Sequence, residues 1–173
     1  MMTYTQARSK IRTGDLLAFS HKASMFASWY DFKISVVRMF TKSEYSHVGL
    51  AFVIGEGIGR RVFILESVMP CVRLFPVSNL KEDFYWLPLK SRWNSAITEI
   101  AFSKIGKPYS QLSAMQAFFE TLPEDSVSEC AAYVVNVCKA AGLDLGPRAT
   151  PDAVVLKAQM IPGVETIYVS YGE

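Results

Sequence analysis

The chain has 173 residues, 50% hydrophobic and 13% aromatic, enough apolar material for one well-filled core, which predicts a single domain over residues 1–173. Eighteen basic residues against sixteen acidic ones leave a formal charge of +2 with the signs intermixed, so the electrostatic footprint that nucleic-acid binding requires is missing and no nucleic-acid partner is expected. Three cysteines at irregular spacing, Cys71, Cys130 and Cys138, match neither a disulfide framework nor metal knuckles and read as free thiols in a reducing compartment.

Taken in chain order, the opening MMTYTQARSK has no apolar run after its charges and no small-residue cleavage site, so a cytoplasmic chain is the expectation. Thr13-Gly14-Asp15 is a turn sequence, and Leu16–Phe19 after it predicts a short strand. A helix is predicted over Ala23–Phe40. Asp31, Lys33 and Arg38 interrupt it well before the roughly 20 apolar residues of a membrane span. Its aromatic and basic mixture suits a surface helix over a core, or an interfacial one that would associate with lipid.

The block SHVGLAFVIGEGIGRRVFILES sets two runs of β-branched and aromatic residues around a Gly-rich turn, which predicts a β-hairpin. Short strands follow around Val72–Phe75 and Phe84–Leu87, between prolines 70, 76 and 88. The period then becomes helical. A helix over Trp93–Ile105 is stopped by Gly106, and a second is predicted over Gln111–Glu120. SVSECAAYVVNVCKAAGL carries a capping box of Ser126 and Glu129 at its start and Gly142 at its far end. Thr150-Pro151-Asp152 opens a last short helix, and Val164–Ser170 alternates as a strand. The whole is an α+β chain without repeats or linkers.

Cys130 falls in the first turn of the Ser126-capped helix, where unpaired N–H groups and the positive end of the helix dipole favour a thiolate and could also receive an oxyanion. The same position suits a small buried hydrophobe. Cys138, among Val134, Val135 and Val137, reads as core, and Cys71 has no activating setting. A thiol catalyst needs a base that exchanges protons near neutral pH. Of two histidines, His47 begins an apolar strand next to Gly49, whereas His21 sits between a serine and a lysine as a solvated loop residue. A carboxylate must then fix the imidazole tautomer. Glu66 closes the second strand of the hairpin, which would return it alongside His47. Two separated histidines and scattered cysteines match no common ligand spacing, so neither a metal nor another cofactor is expected.

The strings RTGDLLAF, SHVGL, ILES, GKPY, SECAAYV and TPDAV, in that order over nearly the whole chain, resemble the circularly permuted NlpC-type members of the papain-like cysteine hydrolases, the YiiX-like group. The resemblance implies a papain-like core, an antiparallel sheet packed against helices that include the nucleophile helix, with Cys130, His47 and Glu66 as the catalytic triad. The chain departs from that pattern in the Ala131-Ala132 pair after the cysteine. Tyr109 in GKPY and Tyr45 beside the histidine are candidate phenolic donors to the reacting carbonyl, with packing at a strand or helix edge as the alternative for each. The activity implied is hydrolysis of peptide-like amides, such as cell-wall stem peptides, through an acyl-enzyme. A lipid-directed acyl hydrolase or acyltransferase, and a non-catalytic module that keeps the cleft, are the competing readings.

Overall fold

The computed structural model describes residues 1–20, 44–107, 129–146 and 150–171; the helices predicted over 23–40 and 111–120, together with His21, Tyr109 and Ser126, lie outside them. Its strands are β1 (Met2–Thr3), β2 (Leu16–Phe19), β3 (His47–Ile54), β4 (Arg61–Val68), β5 (Cys71–Pro76), β6 (Phe84–Leu87) and β7 (Ile167–Ser170). They form one seven-stranded sheet in the order β1-β7-β6-β2-β3-β4-β5. The helices are α1 (Tyr4–Arg8), α2 (Ser95–Phe102), α3 (Glu129–Ala140) and α4 (Pro151–Gln159).

The hairpin forms as its alternation predicts. β3 and β4 run antiparallel from Leu50 opposite Leu65 out to Ile54 opposite Arg61, and Gly57–Gly59 makes one 3-10 turn at the tip. The Thr-Gly-Asp turn locks β2 into place beside it. Gly14 adopts φ +90°, and a Cβ there would lie 2.1 Å from Ser91 Oγ, so only glycine fits. Thr13 Oγ1 accepts the Val53 N–H at 2.9 Å, Gly14 donates to the Ala51 carbonyl at 2.9 Å, and the Asp15 carbonyl accepts from Ala51 at 2.8 Å. The buried Asp15 carboxylate accepts from Arg12 N and Trp86 Nε1, each at 2.8 Å, which ties this turn to β6 as well.

Alternate strand residues feed two cores. One contains Leu16, Val48, Leu50 and Leu65 together with Cys130 and Val134 of α3; the other contains Leu17, Phe19, Ala51, Ile64, Phe84 and Trp86. α3 buries Cys130, Ala131, Tyr133, Val134, Val137 and Cys138, the stripe that helical spacing dictates, and packs across β3 and β4. Gly142, at φ +78°, follows its end.

Four expectations are corrected. The sheet is mixed, not wholly antiparallel, because β1 pairs with β7 in parallel, Met2 opposite Val169. α1, absent from the reading above, is opened by a reciprocal Thr3–Gln6 capping box. α2 is shorter than Trp93–Ile105: Asn94 takes the cap by accepting the Ile97 N–H at 3.0 Å, and Trp93 turns back to donate to Thr98 Oγ1 at 2.8 Å. After α2, Gly106 donates to the Val72 carbonyl and Lys107 accepts from Val72, fastening this segment to the edge of β5. β7 starts at Ile167, since Val164 is spent in a turn onto the Ile161 carbonyl. Among the described residues no helix is long and apolar enough to cross a membrane.

Candidate active site

The sheet delivers three of the four side chains of the site from adjacent strands. His47 is the first residue of β3, opposite Phe19 of β2, whose ring lies 5.9 Å from the imidazole. Glu66 stands on β4 and Arg73 directly across from it on β5. Gly49 is required between them. A Cβ at that position would lie 2.6 Å from the Ile64 side chain and 2.9 Å from the Leu65 carbonyl oxygen, so any side chain would push β3 off β4. Cys130, the second residue of α3 as described, comes in from the helix layer.

His47 Nε2 donates to Glu66 Oε2 at 2.7 Å. An ionised carboxylate can only accept, so this bond places the hydrogen on Nε2 and leaves Nδ1 as the nitrogen for the fourth member. That member is Cys130, which couples to His47 both by charge and by a side-chain hydrogen bond. The other carboxylate oxygen, Glu66 Oε1, accepts from Arg73 Nε at 2.8 Å and meets Nη2 at 2.7 Å. The guanidinium is itself braced over the Phe75 ring, 4.4 Å from its centroid. Glu66 is 2% exposed and Cys130 5%, while the His47 side chain reaches solvent at 17% and that of Arg73 at 37%.

The charges support one another. Burial, the largest single influence on His47, pushes its pKa down, but the charge and hydrogen bond of Cys130, followed by those of Glu66, outweigh it and hold the imidazole above its ordinary value. Burial also dominates at Glu66 and pushes its pKa up; the bonds and charges of His47 and Arg73 together reverse this and hold the carboxyl below its ordinary range. The charge of Cys130 and that of Glu66 thus both favour the imidazolium form of His47. The other thiols lack such company. Cys138 is buried in the core and burial pushes its pKa to about 12, and Cys71 opens β5 half-buried.

Of the residues selected from sequence, Cys130, His47 and Glu66 are thus brought together. Tyr45 is 7% exposed, packs edge-on to Tyr85 at 5.3 Å between ring centroids, and donates its backbone N–H to Asp152 Oδ1 at 2.9 Å. Burial first, then the neighbouring Glu44, Tyr85 and Asp152, push its phenol pKa to about 12. Tyr109 lies outside the described residues. Two participants escaped the sequence reading. Asp152, on α4, tethers the backbone two residues before His47. Arg73 escaped because its partnership depends on the register of β4 with β5. The two-residue Met69–Pro70 connection between Val68 and Cys71 was the available signal, since it sets Glu66 opposite Arg73. Among the described residues no three His, Cys, Asp or Glu side chains are grouped as a metal ion would need.

No protein-family model matches this sequence, and no curated protein does. In fold the chain is similar to the metalloprotein YiiX from Escherichia coli O157:H7, with a TM-score of 0.52 over 91% of this chain and 88% of that one, at 19% sequence identity. The likeness is one of fold: a YiiX-like mixed α+β architecture.

Proposed function

We propose that this chain is a cysteine hydrolase of permuted papain-like type that cleaves peptide-like amides through an acyl-enzyme. The observation that carries the reading is the row Cys130, His47, Glu66, in which one imidazole is hydrogen-bonded to a carboxylate at 2.7 Å and coupled on its other side to a thiol. The order His, Glu, Cys along the chain and the YiiX-like fold support the permuted assignment.

In this mechanism Nδ1 of His47 takes the proton of Cys130, and the thiolate adds to the amide carbonyl carbon. Collapse of the tetrahedral adduct breaks the C–N bond as the imidazolium returns its proton to the departing amine. The resulting thioester is attacked by water, whose proton passes to Nδ1 and then to the leaving thiol. Glu66 keeps Nε2 protonated throughout, so that Nδ1 is the basic nitrogen in each half-reaction.

YiiX is named a metalloprotein. The donor set here does not fit a resident metal ion. Nε2 of His47 carries its hydrogen toward Glu66, Nδ1 is left to Cys130, and the remaining Glu66 oxygen is held by a guanidinium that would repel a cation.

Brief treatment with limiting iodoacetamide from about pH 5 to about pH 9, read by intact mass, tests the reading. The wild type is expected to label once and fast; Cys130→Ala loses the label and His47→Ala moves it to higher pH. Cys130 labelling no faster than Cys71 would leave a non-catalytic module. A thioester mass adduct on incubation with a peptide-amide panel then identifies the acyl group.

A further inference from the structure

The part of the site that the triad does not account for is its outer end. Glu66 is a buried carboxylate whose two oxygens have different partners among the described residues: Oε2 meets His47, and Oε1 is taken by both Nε and Nη2 of Arg73. A cross-strand ion pair on an exposed sheet face contributes about 0–1 kcal/mol and leaves both side chains free to turn. Here the carboxylate is enclosed and the guanidinium is braced on Phe75, so neither rotates without breaking the other's contacts.

We infer that Arg73 is a positioning residue of this site, one that holds Glu66 Oε1 so that Oε2 stays on His47 and that supplies the fourth charge of a neutral row, thiolate, imidazolium, carboxylate, guanidinium. The inference rests on the catalytic reading of the triad. The charged groups that meet along the row are Cys130 from α3, His47 from β3, Glu66 from β4 and Arg73 from β5. Glu44 and Asp152 act instead on Tyr45. With Arg73 present, loss of the Cys130 proton to solvent beside a protonated His47 takes the row from a net charge of +1 to zero. Without it the same loss takes the row from zero to one uncompensated negative charge in a site of low dielectric, so the proton is held on sulfur to higher pH. Loss of position acts in the same direction, because a carboxylate free to swing supports the imidazolium less well. Removal of Arg73 therefore delays thiolate formation to higher pH by both routes.

The test is the pH profile of Cys130 alkylation in Arg73→Met and Arg73→Lys beside the wild type, with thermal unfolding of each. Since one pKa unit is a tenfold change in thiolate below the midpoint, a partly exposed guanidinium is expected to be worth about three- to tenfold slower labelling near pH 6 in Arg73→Met. Arg73→Lys keeps a cation but loses the fork and is expected at about twofold slower. Added guanidinium ion is expected to restore the Arg73→Met profile, which repair of a merely structural role would not do. A folded Arg73→Met whose profile superimposes on the wild type overturns the proposal. Should Arg73→Met not fold, an Arg73→Lys profile identical to the wild type does so instead. A wild type in which Cys130 labels no faster than Cys71 overturns the catalytic reading and this proposal with it, whereas a fast wild-type Cys130 with an unmoved variant overturns the role of Arg73 alone.

Discussion

Replacing Glu66 with glutamine exchanges one carboxylate oxygen for an NH2 group at nearly constant shape, and the surrounding donors decide which end goes where. Arg73 presents two N–H groups to the Oε1 position, at 2.8 and 2.7 Å, and a guanidinium has no acceptor to offer. The amide oxygen must stay there, and the NH2 group then faces His47 at the Oε2 position. Turning the amide around would forfeit two charge-assisted bonds, roughly 1.5–3 kcal/mol each when well buried. The Arg73 side chain is 37% exposed, and discounting for solvent leaves about 2 kcal/mol in all. That preference holds some 97% of the molecules, about thirty to one, with Nε2 as acceptor and the hydrogen on Nδ1, the nitrogen needed as base. Loss of the negative charge beside the imidazolium removes about another tenfold. The expected outcome for Glu66→Gln is Cys130 labelling at neutral pH slowed by on the order of 10²–10³, against roughly 10⁴ in kcat for the analogous wrong-tautomer substitution in Ser-His-Asp triads. Nitrogen-15 chemical shifts of His47, one of only two histidines, report the tautomer directly. The sharper assay is the double variant Glu66→Gln with Arg73→Met, in which the amide is free to turn and labelling should be faster than in Glu66→Gln alone. Labelling slowed further by the second substitution would refute the reasoning.

Gly49→Ala should cost about 1–3 kcal/mol, because its Cβ meets Ile64 at 2.6 Å and a backbone oxygen at 2.9 Å, and it should slow Cys130 labelling by shifting the strand that bears His47. Wild-type unfolding in urea together with unchanged labelling would contradict this account of β3. Stability should also depend on pH on two sides. The folded pKa of Glu66 lies below its ordinary 4.5, so its contribution is present above that value and disappears as pH falls through the folded value; the unfolding free-energy gap between wild type and Glu66→Gln is expected to narrow in acid. The folded pKa of His47 lies above its ordinary 6.5, so its contribution is complete below 6.5 and is lost as pH rises through the folded value, and the gap to His47→Gln is expected to narrow in alkali. Gaps that stay flat over both windows would show that these bonds do not couple to folding.

Much of the site was legible because much of it is local. His47 and Glu66 are 19 residues apart on one hairpin, and period-two alternation around GEGIG is enough to bring them side by side. Thr150 with Pro151, and Thr3 with Gln6, are cap signals that need no tertiary context; only the first was read, although the second was equally plain. Arg73 was missed by one step of register, since nothing in its immediate neighbours distinguishes a strand arginine on solvent from one that holds a buried carboxylate.

What the amino-acid order determined by itself is the set of elements and the chemistry each can offer: where apolar residues recur with period two or 3.6, where a cap or a glycine ends a run, and which side chains can ionise. What only the tertiary structure decided is adjacency across the chain. β2 lies between β3 and β6, β1 reaches β7 in parallel, and the helix carrying Cys130 lies against the strands of His47 and Glu66. The physical reason is that local preferences depend on dihedral angles and neighbours three or four residues away. The coupling of Cys130 to His47, and the charge balance completed by Arg73, come from burial and Coulomb forces among groups far apart in sequence, and these act only once two faces of one sheet have been covered.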